Sequence, residues 1–185
     1  GAVNRGMGGV GTATPVDSIG AIHWNPATIS ALPSSEMAFG VDGVLPVIGV
    51  DSSVPGLSGG NDSDNGWFAA PSFGLVQQVD DSEWTYGLGI MTIAGFGVNL
   101  PTNSSNPVLS PPPSGFGNIF TEAVFIEISP VLSLQVTENI SVGVGPTVMI
   151  GRIQAEPFAF AGANTNGQFP DGTHSRYHWG GGLQA

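Results

Sequence analysis

The stretch Ile140-Ser-Val-Gly-Val-Gly-Pro-Thr-Val-Met-Ile150 decides the fold. Successive side chains of an extended chain point to opposite faces, so Ile140, Val142, Val144, Val148 and Ile150 share one side. Ser141, Gly143, Gly145, Thr147 and Met149 share the other. Pro146 interrupts the apolar row and predicts a bulge or weakened pairing. The second row is the informative one. A soluble half-buried strand turns charged groups to water, and here that face is glycine and hydroxyl.

The same phasing recurs in both directions. Upstream, Met37, Phe39 and Val41 alternate with Glu36, Ala38, Gly40 and Asp42. Phe73 and Leu75 alternate with Ser72, Gly74 and a less fitting Val76. From 84 to 98 the apolar row is Trp84, Tyr86, Leu88, Ile90, Thr92, Ala94, Phe96 and Val98, against Thr85, Gly87, Gly89, Met91, Ile93, Gly95 and Gly97. Val124, Ile126 and Ile128 alternate with Ala123, Phe125 and Glu127. A sixth run, Tyr177 to Ala185, stops in mid-pattern. Long links near 51–66, 100–117 and 156–174 alternate with tight turns at Asp80-Asp-Ser82 and Thr137-Glu-Asn139. Long loops at one end and short turns at the other mark an up-and-down antiparallel barrel of an outer membrane.

Composition agrees. Of 185 residues only 9% are charged, against roughly 25% in an ordinary soluble domain, while 41% are hydrophobic. A net charge of −11 with three arginines and no lysine repels phosphate backbones, which excludes nucleic-acid binding. The absence of cysteine removes disulfides, thiolate zinc sites and a thiol nucleophile. No apolar run approaches the roughly 18 residues of a transmembrane helix. In a barrel wall the apolar row faces hydrocarbon, the small row faces the lumen, and every backbone group is paired within the wall. Trp67, Trp84, Tyr86, Tyr177 and Trp179 fit interfacial girdles. Six strands fall short of the about eight of the smallest membrane barrels, so the sequence is expected to be the N-terminal part of a longer one.

Residues 1–33 read differently, as a compact plug preceding the strands of 34–185. Asp17 is placed to cap a turn at Ser18–Ile22. Asn25 before Pro26 is an N-cap and first-turn pair for a turn through Ala31, and Pro33 stops it.

Gly6-Met-Gly-Gly-Val-Gly-Thr-Ala13, Asp17-Ser-Ile-Gly-Ala-Ile22 and Asn25-Pro-Ala27 together resemble the N-terminal signature of the bacterial outer-membrane transporters of long-chain fatty acids and aromatic hydrocarbons, the FadL/TodX type. Glu83-Trp-Thr-Tyr-Gly-Leu-Gly89 and Glu138-Asn-Ile-Ser-Val-Gly-Val-Gly145 are similar to that family's turn-then-strand starts. Val10 and Thr28 depart mildly from it. The resemblance implies an all-β barrel of about 14 strands with an N-terminal hatch inside it. It implies passive uptake of hydrophobic molecules, which leave sideways through a gap made by an inward kink of the third strand.

On that basis Asn25, Pro26 and Ala27 are the hatch motif, with a plain helix cap as the bland alternative. Gly95, Phe96 and Gly97 are candidates for the lateral exit, since glycine tolerates irregular backbone. Against this, the glycines read equally as small lumenal residues and Phe96 as a lipid contact. Arg152, Phe158 and Phe160 are candidate ligand contacts. Phe158, Phe160 and Phe169 form either an apolar landing surface or a self-packed loop. Arg176 begins the last strand. So few cations favour a neutral apolar substrate. Asn61 to Gly66 lacks the alternating ligands and distal Glu of a calcium loop. His23, His174 and His178 lack metal-ligand spacing. Glu122 and Glu127, five apart, fall on opposite strand faces and make a poor acid/base pair. No nucleophile elbow, P-loop or dinucleotide fingerprint is present, so neither enzyme activity nor a cofactor is expected. Expected partners are hydrophobic small molecules and outer-membrane lipid, the full-length protein being monomeric. Two other classes remain: a surface barrel or adhesin that transports nothing, and a soluble secreted β protein.

Overall fold

Each alternating run becomes a strand of one antiparallel sheet. The computed structural model describes residues 2–103, 105–111, 115–158 and 161–185. After helix α1 (Ala2–Gly6), a 3-10 turn (Val10–Thr12), helix α2 (Ser18–Trp24) and a second 3-10 turn (Pro26–Ala31), the strands are β1 (Glu36–Val44), β2 (Gly49–Val54), β3 (Leu57–Asp62), β4 (Phe68–Gln78), β5 (Trp84–Leu100), β6 (Ile119–Thr137), β7 (Ile140–Glu156) and β8 (Thr173–Gln184). Six of them run in the order β1-β4-β5-β6-β7-β8, and β2 and β3 pair apart from it. That hairpin fills most of the stretch near 51–66 that reads in the sequence as a long polar link. Its turn is Pro55-Gly56, with Gly56 at φ 83°, a conformation that favours glycine.

The two rows separate as the alternation requires. The N-terminal segment lies on the face carrying glycine, serine and threonine, here called the inner face. On the other face Met37 and Phe39 are each 72% exposed, and Trp179 is 70% exposed. Val76, which breaks the alternation, is fully buried on the inner face. There it meets Ala21, Ile22, Ile29, Leu32 and Val131. This small core fastens the segment to the wall, and each fully buried aliphatic side chain contributes about 1.5–3 kcal/mol.

The inner glycines admit the segment. A Cβ at Gly74 would stand 2.7 Å from the Ile19 nitrogen, and one at Gly89 2.8 Å from Ile22 Cγ2. Hydroxyls then satisfy the backbone that burial strips of water. Ser18 Oγ donates to the Gly74 carbonyl at 3.2 Å, and Ser133 Oγ to the Ala27 carbonyl at 3.1 Å. Asp17 caps α2, accepting from Gly20 N–H at 2.6 Å. Asn25 caps the second 3-10 turn, accepting from Ala27 N–H at 3.2 Å, with Pro26 in its first turn.

Pairing is uneven at two places. The β5–β6 register shifts between Thr92 and Ala94, leaving Ile93 as a bulge. Beyond it the phase inverts, so Ala94, Phe96 and Val98 pair with Phe125, Ala123 and Thr121, in the inner row of β6. Phe96 therefore does not continue the apolar row of Trp84 to Ile90. Gly95 and Gly97 pair instead with Val124 and Glu122, in the outer row. At Pro146 the β6–β7 ladder loses its rungs between Ile128–Val148 and Leu132–Val144 without changing register. Weakened pairing, not a bulge, is the outcome there.

Candidate functional site

The bulge at Ile93 sits where the wall is incomplete. The β4–β5 ladder runs from Gln78–Thr85 to Ser72–Met91 and stops. On its other side β4 continues to pair with β1 as far as Phe68–Val44. Farther along, the chain rejoins β5: Asp64 N–H donates to the Asn99 carbonyl and Asn65 Nδ2 to the Gly97 carbonyl, each at 2.8 Å. Asn99 N–H donates to Ser63 Oγ at 2.8 Å. Between these anchors no ladder pair joins 66–71 of one side to 92–96 of the other, among the described residues. Pro71, which has no N–H to donate, lies on this free stretch.

A cavity of about 340 Å³ opens beside the interruption, between the N-terminal segment and the wall. Gly8, Gly9, His23 and Trp24 line it from the segment, and Ser72, Met91, Thr92 and Ile93 from the wall. The His23 and Trp24 rings meet edge-on, 4.9 Å between centroids. His23 Nδ1 lies 3.3 Å from Glu127 Oε1, and Ser129 Oγ donates to the same oxygen at 2.9 Å. This pair ties α2 to β6, and its pattern was invisible in the sequence because 104 residues separate the partners. A second cavity of about 290 Å³ lies farther along, lined by Phe68, Phe96, Gly97, Phe120, Glu122 and Val124 among others.

The remaining candidates divide. Arg152 forms an ion pair with Glu122, and β6–β7 register puts both in the outer row. Phe158 lines a cavity of about 570 Å³ together with Ile153, Arg176 and His178. Phe160 lies outside the described residues. Phe169 packs against Phe116, centroids 4.6 Å apart. In the stretch that faintly resembles a calcium loop, the Asp64 main-chain carbonyl accepts from Asn99 Nδ2, Asn65 Nδ2 donates to the Gly97 carbonyl, and Asn65 Oδ1 accepts from Ser63 Oγ. Among the described residues no three His, Cys, Asp or Glu side chains are grouped to hold a metal.

An antiparallel wall with an apolar outer row and a small-residue inner row is part of the wall of an outer-membrane β-barrel. The sequence-family model for outer membrane protein transport proteins (OMPP1/FadL/TodX) matches residues 1–176, and the chain belongs to that family. It is a bacterial outer-membrane protein of a family that transports hydrophobic compounds. No curated protein sequence matches the chain.

Proposed function

We propose that residues 1–33 are the hatch and residues 34–185 the first wall strands of a monomeric, passive channel that releases its ligand sideways between β4 and β5. The observation that carries this is the adjacency of the broken ladder, the Ile93 bulge and the 340 Å³ cavity under the hatch. A ligand resting there has hydrocarbon on the far side of the gap. Partitioning and dilution supply the drive, and the route needs no chemistry. The hatch motif Asn25-Pro26-Ala27 holds α2 and its follower at the angle that presents His23 and Trp24 to the cavity. Outer rows such as Met37, Phe39 and Val41 meet lipid.

The favoured ligand is a neutral apolar molecule such as an alkylbenzene, because Glu122 neutralises Arg152 and Arg152 stands in the outer row. In cells carrying the full-length protein, replacing Gly95 and Gly97 by Leu is expected to lower alkylbenzene uptake several-fold. Unchanged uptake by a folded variant removes the lateral exit. Ligand-independent liposome impermeability would favour the surface barrel instead.

One observation favours a carboxylate-bearing chain: Arg176 and Phe158 line the same cavity. Under that reading Arg176→Ala lowers fatty acid uptake and spares alkylbenzene uptake.

A further inference from the structure

We propose that Phe68 is a shutter across the interruption between β4 and β5, and that its bulk sets the width of ligand that passes. This rests on the lateral-exit reading above.

Phe68 is the last β4 residue that β1 holds, through its rung with Val44. Its backbone is therefore fixed on one side and unpaired on the side of β5. Its ring crosses that side. A methyl group on Gly95 would stand 2.8 Å from Phe68 Cε2 and 3.0 Å from Cζ. Real Cβ atoms do not sit so close, so the edge of the ring sits where a side chain on Gly95 would begin. The ring thus reaches from one bank of the gap to the other, four residues beyond the closing rung at Ser72.

Its position along the strands is that of a partition. The cavity under the hatch touches Ser72, Met91, Thr92 and Ile93. The cavity of about 290 Å³ begins at Phe68 itself and continues along Phe96, Gly97 and Phe120. Phe68 lines the second cavity, whereas the first meets β4 at Ser72. The ring is held by packing alone, and an aromatic side chain on an otherwise free edge changes rotamer without breaking a hydrogen bond. Asn65, by contrast, is bonded to the Gly97 carbonyl and frames the gap rigidly. A hinged apolar plate between fixed polar posts discriminates by size, not by charge. Gly95 is the seat of the plate, which gives that glycine a role that conformational freedom alone does not.

The test uses the full-length protein in outer membranes, with toluene as a narrow probe and pyrene as a broad one. Heat-modifiable migration on gels certifies folding. Phe68→Ala is expected to raise the pyrene-to-toluene uptake ratio at least threefold, and Phe68→Trp to lower it by a similar factor. Phe68→Leu, which keeps the bulk of a side chain at the seat, is expected to fall between. A ratio unchanged in all three folded variants overturns the proposal. A second pair of variants separates this from the lateral exit itself. Ala70→Cys with Ile93→Cys places thiols where the register would set the next rungs, and oxidation staples the gap. Toluene uptake that falls on oxidation and recovers on reduction supports the exit. If it does so while the size ratio ignores residue 68, the exit stands and the shutter falls. If oxidation of the cross-linked protein changes nothing, the exit fails and the shutter with it.

Discussion

Pro130 and Pro146 stand opposite one another across β6 and β7. The register that pairs Ile128 with Val148 and Leu132 with Val144 puts them face to face, and the ladder is blank between those rungs. Neither proline has an N–H, so two donors are missing at one place. Gly145, beside Pro146, lies close enough to the Pro130 carbonyl that a Cβ there would collide with it.

Restoring the donors should close that blank. Pro130→Val with Pro146→Val is expected to stabilise the folded barrel by about 1–3 kcal/mol, two hydrogen bonds at about 0.5–1.5 kcal/mol each. Urea unfolding in lipid vesicles measures it. Either single variant restores one donor and should gain about half.

The inner glycines make a separate prediction. A methyl at Gly74 meets Ile19 backbone at 2.7 and 2.9 Å, and backbone cannot swing aside as a side-chain tip can. Gly74→Ala is expected to cost about 1–3 kcal/mol of overpacking, taken from the seating of α2. Protease added to the folded protein should then cut within residues 1–33 faster. Gly43→Ala, with nothing within 4 Å of its new methyl, is the control and should leave cleavage unchanged.

These glycines also show how far the sequence could be read. Their alternation with Val142 or Leu88 announced the strands and the two faces. Asp17 and Asn25-Pro26 announced the caps, since capping is a local interaction of near neighbours. Val76 looked like a flaw in the pattern because its reason, Ile22, lies 54 positions away on another element. The bulge at Ile93 left only a faint mark: Met91 and Ile93 stand in the glycine row and Thr92 in the apolar one, and the register against β6 reveals the inverted phase. Pro55-Gly56 is a turn signal in the sequence, but the aspartates and serines around it mask the hairpin's weak alternation. Contacts between distant residues, such as His23 with Glu127 or Phe68 with Gly95, leave no mark on spacing.

The His23–Glu127 contact fixes α2 laterally as well as by packing. Glu127→Ala removes the carboxylate that both His23 and Ser129 face. The loss is expected to be about 1–3 kcal/mol, because the partners are partly buried and left without an acceptor. Hydrogen exchange of the α2 amides should accelerate roughly 10-fold or more, while exchange in β8, which pairs with β7 and not with β6, should stay as it was.

Asn106 plays the corresponding part outside the wall. It is fully buried, and it joins the 101–111 link to the β2–β3 hairpin. Its Nδ2 donates to the Val50 carbonyl at 2.8 Å. Its Oδ1 accepts from Val108 N–H at 3.2 Å, from Leu109 N–H at 3.4 Å and from the Ser52 hydroxyl. Removing the amide strands donors and an acceptor in a place water does not reach, which costs about 1–3 kcal/mol. The hairpin is a separate two-stranded sheet, so this cost falls on the hairpin and not on the barrel wall. Asn106→Ala is therefore expected to speed proteolysis within residues 45–66 while leaving the urea midpoint of the barrel unmoved. Asn106→Asp sharpens the point. It keeps the acceptor toward Val108 and Leu109 but turns a second oxygen toward the Val50 carbonyl, so it should loosen the hairpin at least as much as Ala does despite its near-identical shape. An Asp variant as resistant to protease as the parent would show that the Val50 contact contributes nothing and that the hairpin is held by Asn61 and Asn103 instead.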